Sequence, residues 1–144
     1  MAEISQTEKR PLKYTVTHYR KAHHTHEAFM KWIVETHLPL AMPIFKKHGI
    51  ISYSLFTTPA SLNEPLRAEI GKMRPTWEFA DFDCFIEYLI PDMEAIMKVL
   101  GDADWQAAVR DQDEWLESGK ALVSLGYHTT YLRETGEVVN MKMG

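Results

Sequence analysis

Histidines are the side chains of this 144-residue chain best suited to proton transfer near neutral pH, and the chain contains seven. His37 holds the most unusual position. It follows an apolar stripe at helical spacing and precedes Pro39, which has no N–H to donate to the carbonyl of Glu35. His18 and His128 lie in segments that alternate like strands. A histidine beside freed backbone carbonyls is typical either of acid–base chemistry or of a packed helix kink, and the spacing leaves both interpretations open.

Three further histidines crowd the loop before the same helix and raise the question of a metal site. They are His23, His24 and His26. His26 and Glu27 begin the HExxH pattern of a zinc site, but Met30 stands where the second histidine belongs. No cysteine lies at zinc-finger spacing either. We therefore predict no metal site and interpret these histidines as solvated loop side chains.

Aromatic residues accompany the candidate histidines and indicate a pocket for a planar ligand. Trp32 precedes His37 on the helix, and tyrosines lie close in sequence to the two strand histidines. A long connection over residues 59–80 ends in two aromatic residues, where a lid could close. The candidate substrate-binding residues are Trp32, Tyr19, Tyr127, Tyr131, Trp77 and Phe79. The strand residues could equally be core or interface side chains, and the pattern favours neither interpretation.

The composition argues against several other classes of function. The net charge of −4, without a basic stripe, indicates no nucleic-acid partner. No stretch is apolar for long enough to span a membrane, and residues 1–13 lack the apolar run of a secretory signal. The patterns GxGxxG, GxxxxGK[ST] and GxSxG are absent, which argues against nucleotide chemistry and a serine hydrolase. The single cysteine, Cys84, fits a reducing compartment, so we expect a cytoplasmic protein that works without a cofactor.

The longest predicted element is a helix over residues 25–49, which carries His37. Thr25 is a good N-cap, Gly49 is suited to the position after the last turn, and Pro39 should make the helix bend or restart near Leu38. Strands are predicted over residues 13–21, 50–58, 83–91 and 121–133, and further helices over 64–73, 92–100 and 103–117.

This βαββαβ order predicts an α+β, ferredoxin-like fold: a four-stranded antiparallel sheet with its helices on one face. The domain is predicted over residues 13–133, between a flexible N-terminal arm, 1–12, and a C-terminal tail, 134–144. The other face of the sheet needs a cover, and in so short a chain the natural cover is a second copy. We therefore expect a homodimer.

Two segments resemble the EthD family of dimeric α+β barrel proteins. The first is Phe29-x-x-Trp32 followed by the His-x-Pro-Leu segment that begins at His37. The second runs over residues 105–131 and includes the sequence DQDEWL and a later Gly-Tyr pair. Together they cover nearly the whole predicted domain. The resemblance implies a homodimer, no cofactor, and a functional role for His37.

Within that family the chain looks most like small fungal members that tailor aromatic polyketides. The resemblance implies a cofactor-independent lyase that decarboxylates an anthrone-type or related phenolic carboxylic acid in secondary metabolism. His37 would be the general acid, with His18, His128 or Tyr127 orienting the phenol. Two alternatives stay open: a polyketide cyclase or dehydratase on the same scaffold, and a non-catalytic dimer that binds a small ligand.

Overall fold

The computed structural model describes residues 10–141, in which four strands form one antiparallel sheet. The strands are β1 Leu12–His18, β2 Ser52–Thr57, β3 Cys84–Ile90 and β4 Leu122–Tyr127, in the order β2-β3-β1-β4. The predicted α+β, ferredoxin-like fold is confirmed. Most of the predicted arm (residues 1–9) and the end of the predicted tail (residues 142–144) lie outside the described residues.

The helical segments are α1 His26–Trp32, a π-helical turn Ile33–His37, α2 Leu38–Lys47, α3 Ala60–Met73, α4 Met93–Leu100 and α5 Ala103–Ala108, with short 3₁₀ turns at Gln112–Glu114 and Ser118–Lys120. Apolar side chains of α1, α2 and α4 pack on one face of the sheet, whereas α3 has no buried residue. Within residues 10–141, none of the helices has the length and apolar character that crossing a bilayer requires.

The ends of the first helical run form as their residue types predict. The hydroxyl of Thr25 accepts a hydrogen bond from the N–H of Ala28 at 3.0 Å and caps α1. Gly49 follows α2 with φ of +78°, a left-handed conformation that favours glycine. The N–H of Ile50 then donates to the carbonyl of Phe45 at 3.0 Å, as in a Schellman motif.

The centre of that run is a π-helical turn, whereas the sequence predicts a bend or restart near Leu38. The N–H of Leu38 donates to the carbonyl of Ile33, five residues earlier. Pro39 has no N–H and could not donate to the carbonyl of Glu35 in a regular α-helix. The wider turn lets the helix continue although this hydrogen bond is missing. The chain therefore passes through His37 into α2 without leaving helical geometry.

Alternation along the central strands assigns the two faces of the sheet. On β3, the buried side chains of Cys84, Ile86, Tyr88 and Ile90 face the helices. They join a core that includes Phe29 on α1 and residues of α2 and α4. Burying each large apolar side chain stabilises the fold by roughly 1.5–3 kcal/mol.

The opposite face of the sheet, for which the sequence predicts a cover, is not uniformly apolar. Its centre is polar: Lys13 forms an ion pair with Glu87 at 2.5 Å, and the Thr15 hydroxyl forms a hydrogen bond with that of Ser124. An aromatic cluster lies at one end and contains Phe56, Phe82 and Phe85, with ring centroids 5.8 to 6.4 Å apart. Apolar cover on this face is therefore needed mainly at one end.

The helix predicted over residues 103–117 is wrong beyond Ala108, where α5 ends. The following segment runs beside the continuation of β1 instead. The N–H of Lys21 donates to the carbonyl of Trp115, and the N–H of Glu117 donates to the carbonyl of Tyr19, both at 2.8 Å. These long-range bonds outweigh the local helical preference because they satisfy backbone groups of both segments.

Two other predicted elements differ from the structure by more than three residues at one end. The helix predicted over residues 64–73 begins at Ala60 and runs through Pro65, and the Asn63 side chain donates to the carbonyl of Pro59 at 3.2 Å. The last strand ends at Tyr127, six residues before the predicted position, residue 133.

Candidate active site

A cavity of about 190 Å³ lies between the helix-covered face of the sheet and the helical layer. Its lining residues are Tyr14, Val16, His18, His37, Phe45, Ile86, Tyr88, Ile96, Val99, Leu100, Trp105 and Gln112. A small extension of about 20 Å³ adjoins it, where Trp32, Ile33 and Leu116 complete the wall. His18, His37 and Gln112 line both spaces, so the polar side chains converge at their junction.

His37 ends the π-helical turn and is held between two indoles. Its ring stacks on Trp32 with centroids 5.5 Å apart and meets the edge of Trp105 at 5.7 Å. Burial lowers the pKa of His37 from its ordinary value because the enclosed site disfavours imidazolium. The backbone carbonyl of Ala108 and the carboxylate of Asp111 oppose this effect and raise the pKa in part.

His18 ends β1 and faces the helices, one of the two faces that the alternation leaves open. Burial, followed by the positive charge that His37 can carry, lowers the pKa of His18 to about 4. The two rings are therefore coupled, because protonation of one disfavours protonation of the other. Near neutral pH both are uncharged and able to accept a proton.

Several buried polar atoms around the cavity have no hydrogen-bond partner among residues 10–141. They include Nδ1 of His18, Nδ1 of His37 and Nε1 of Trp32. An unpaired buried polar group costs roughly 1–3 kcal/mol, so folded proteins retain few of them. Their concentration at one cavity is typical of a functional site and is unusual in a purely structural core.

Two tyrosines form the opposite part of the cavity wall. The rings of Tyr14 and Tyr88 lie 5.4 Å apart, and Tyr88 also meets the edge of Phe45 at 5.3 Å. Burial raises the pKa of both phenols, which stay protonated and can donate hydrogen bonds. Among residues 10–141, none of the side chains that line the cavity is Asp, Glu, Lys or Arg. The site is therefore aromatic, polar and uncharged.

Of the residues predicted from the sequence, His37, His18 and Trp32 are brought together here. His128 is not, because it follows β4 and lines a separate surface cleft with Arg10 and Arg133. Apart from His37 and His18, the polar lining residues are Tyr14, Tyr88 and Gln112.

The other predicted substrate-binding residues also lie away from the cavity. Tyr19 donates to Asp81 at 3.1 Å. Tyr127 and Tyr131 are exposed. The lid predicted from Trp77 and Phe79 does not close over this cavity, because their rings lie under the guanidinium groups of Arg74 and Arg67.

The sequence interpretation missed Tyr14, Tyr88, Trp105 and Gln112 as lining residues. Alternation places Tyr14 on the same face of β1 as His18, so the sequence contained a pattern that could have identified Tyr14 as a lining residue. Gln112 gave no such signal, because it lies where the predicted helix gives way to a 3₁₀ turn.

Of the three loop histidines predicted to be solvated, His23 is exposed, whereas His24 and His26 contact other parts of the protein. Nδ1 of His26 lies 3.0 Å from Oδ1 of Asp83, and the ring of His24 stacks on Trp115 with centroids 4.0 Å apart. Within residues 10–141, no three His, Cys, Asp or Glu side chains are grouped so that they could hold a metal ion.

Comparison with known proteins identifies the family. The sequence model of the EthD domain matches residues 21–119, a span that contains His37, Trp105 and Gln112. The chain belongs to the EthD family. The resemblance predicted from the two sequence segments is thus confirmed.

Named relatives of this EthD-family chain include a dehydratase and a decarboxylase. The chain is 32% identical to the Dehydratase iacD of Pestalotiopsis fici, over 93% of this chain and 96% of the relative. It is 28% identical to the Decarboxylase nsrE of Aspergillus novofumigatus, over 97% and 92%. An EthD family protein from Bacillus halodurans has the same fold, with a TM-score of 0.55 and 15% identity over 83% of this chain and 99% of that structure.

Proposed function

We propose that this EthD-family protein is a cofactor-independent lyase that removes water from a small, neutral hydroxy carbonyl compound of aromatic polyketide type. The observation that carries the proposal is the pair of partly buried histidines, His18 and His37, on one uncharged cavity. Because burial lowers the pKa of both, each ring is a proton acceptor near neutral pH. Dehydration begins with such a base, whereas protonating carbon in a decarboxylation needs an acid.

The charge of the cavity supports a neutral substrate. A carboxylate that entered would meet no side chain of opposite charge, because no lining residue is ionised near neutral pH. Burying an unpaired carboxylate is strongly unfavourable. A hydroxy ketone has no such charge, and hydrogen bonds can satisfy its polar atoms. The anthrone-type acid implied by the resemblance is therefore less well supported than a neutral ketone.

The size and walls of the cavity support a compact ring system. Its volume of about 190 Å³ is only somewhat larger than a cavity of about 150 Å³ that holds benzene. Phe45 and Trp105 supply flat aromatic surfaces, and the aliphatic side chains of α4 close the space. These features favour one ring or two fused rings.

In the proposed reaction His37 takes the proton from the carbon between the carbonyl and the carbinol. The electron pair of that C–H bond moves to the carbonyl oxygen and forms an enolate. The carbonyl then re-forms, a carbon–carbon double bond appears, and the bond to the β-hydroxyl breaks. The imidazolium of His37 returns its proton to the departing hydroxide, which leaves as water. His18 stays neutral and is suited to hydrogen-bond the hydroxyl.

Decarboxylation at the same cavity is the second candidate, and the relative named Decarboxylase nsrE favours it. It would require a protonated histidine, and a bound carboxylate would raise the pKa of His37 toward that form. A cyclase would use the same walls. In a non-catalytic ligand-binding dimer, neither histidine would transfer a proton.

Two bicyclic probes distinguish these reactions because both lead to 1-naphthol. The neutral 3-hydroxy-1-tetralone gives it by loss of water, and 1-hydroxy-2-naphthoic acid gives it by loss of carbon dioxide. We expect the protein to accelerate only the first, and His37→Gln to abolish the acceleration, as followed by mass spectrometry. Turnover of the acid alone would support the decarboxylase. Binding without turnover of either would support the ligand-binding protein.

A further inference from the structure

Gln112 lies at the junction of the cavity and its small extension, beside His18 and His37. It is half-buried in the 3₁₀ turn that follows α5. Its amide is the one lining side chain that combines an N–H₂ donor with a strong carbonyl acceptor. The proton transfer assigned to His37 does not use this amide.

The backbone of Gln112 is held in place by three hydrogen bonds. Its N–H donates to the carbonyl of Val109 at 3.1 Å, and its carbonyl accepts from the N–H groups of Trp115 and Leu116, both at 2.9 Å. Trp115 in turn stacks on Trp32, which stacks on His37. The turn that carries Gln112 and the helix that carries His37 are thus joined through one aromatic stack. With its backbone fixed beside His37, Gln112 needs only a side-chain rotamer change to present its amide as a donor, which reduces the reorganisation that the reaction requires.

We propose that the Gln112 amide binds the carbonyl oxygen of the substrate and stabilises the enolate that forms there. This inference rests on the proposed function, because it requires a carbonyl next to the carbon that loses its proton. The negative charge develops on oxygen in a cavity without charged side chains, where a fixed N–H donor is most effective. Gln112 would thereby select carbonyl compounds over hydrocarbons of the same shape.

The test compares two probes of equal shape: 1-tetralone, which has the carbonyl, and tetralin, which lacks it. Affinities for the wild type and for Gln112→Met are measured by ligand-detected NMR titration. Met keeps the length and flexibility of Gln but removes the amide. We expect the affinity for 1-tetralone to fall by about tenfold and the affinity for tetralin to be unchanged, since one hydrogen bond is lost.

Gln106→Met is the matched control, because the Gln106 amide is exposed, bonds to the carbonyl of Leu100 at 2.8 Å and does not line the cavity. It should bind both probes as the wild type does. Equal loss of both probes in Gln112→Met would indicate a damaged cavity, and Gln112→Leu, a second replacement without a donor, must then lose 1-tetralone selectively or the proposal is wrong. Unchanged binding of 1-tetralone in Gln112→Met also overturns it.

The same variants separate this inference from the proposed function. If Gln112→Met loses selectivity for 1-tetralone while the wild type turns over no hydroxy ketone, carbonyl binding stands and the dehydratase fails. If turnover of 3-hydroxy-1-tetralone depends on His37 but not on Gln112, the dehydratase stands and the role of Gln112 is wrong. Loss of 1-tetralone binding in Tyr88→Phe but not in Gln112→Met would assign the carbonyl to the phenol and overturn the inference.

Discussion

The indole of Trp32 and the imidazole of His37 stack with ring centroids 5.5 Å apart and 20° between their planes, although five residues separate them. In a regular α-helix, residues five apart point about 140° from each other around the axis. The π-helical turn Ile33–His37 reduces this difference, because its hydrogen bonds join residues five apart. The wider turn therefore directs His37 into the cavity, where the indole of Trp32 stacks on the imidazole ring.

Trp32 should be far more important for stability than Trp77. Trp32 is 6% exposed and stacks on His37, Trp115 and Phe29, so Trp32→Ala removes a large buried ring. We expect the free energy of unfolding to fall by roughly 3–5 kcal/mol in urea denaturation. Trp77 is 59% exposed, and Trp77→Ala should change the free energy of unfolding by no more than about 0.5 kcal/mol. Equal losses in the two variants would contradict the structural role given to Trp32.

His37→Gln should lose turnover while keeping the fold. Removing the base should lower kcat by roughly 10²–10⁴-fold, because general acid–base catalysis contributes that much. His128→Gln, outside the cavity, is the matched control and should keep the kcat of the wild type. The kcat of each variant is measured beside its melting temperature. A His37→Gln protein that melts early but turns over normally would mean that the histidine is only structural.

The wild-type rate should also depend on pH in a defined direction. Because burial lowers the pKa of His37, the neutral base persists below pH 6.5, and kcat should fall only as the pH drops through that lowered pKa. A histidine acting as an acid would give the reverse, with activity rising as the pH falls. The profile of kcat against pH, measured on the folded protein, distinguishes the two.

The sequence predicts a strand at His18 but leaves open which face of the sheet the histidine takes. Alternation with period two places Tyr14 and His18 on one face of β1 and Tyr19 on the other. Tyr19 was wrongly chosen as a substrate-binding residue because it is next to His18 in the sequence. The position of Gln112 could not be predicted from the local sequence. It depends on backbone hydrogen bonds that hold the following residues, 115 and 117, against Lys21 and Tyr19, which are far away in the sequence. Local patterns thus predicted the elements, whereas the cavity depends on contacts between elements.

The stability of the protein should rise with pH between about 4 and 6.5. In the unfolded chain His18 takes up a proton near its ordinary pKa of 6.5, but in the folded chain only near 4. The unfolded state therefore binds more protons in this window, and acid favours it. The contribution of His18 amounts to about 3 kcal/mol, present in full above pH 6.5 and lost as the pH falls.

Urea denaturation of wild type, His18→Gln and His128→Gln across this window checks the linkage. Carboxylates titrate in all three proteins, so the difference between proteins isolates the histidine. His18→Gln should have a smaller rise in stability with pH, and His128→Gln, which replaces a histidine outside the cavity, should keep the wild-type rise. If His18→Gln keeps the full slope, His18 does not carry it.

The aromatic end of the open sheet face should be where two copies of the chain meet. Phe56 is 53% exposed and clusters with Phe82 and Phe85, so burying this end would remove apolar surface from water. We expect a symmetric dimer of about twice 16.7 kDa in light scattering at micromolar concentration. Phe56→Asp should shift it toward monomer, because a buried carboxylate would be unpaired. Leu40→Asp, equally exposed at 54% but on α2 in the helical layer, should leave the dimer intact. A wild-type monomer, or a dimer lost only in Leu40→Asp, would show that the copies do not meet through this face.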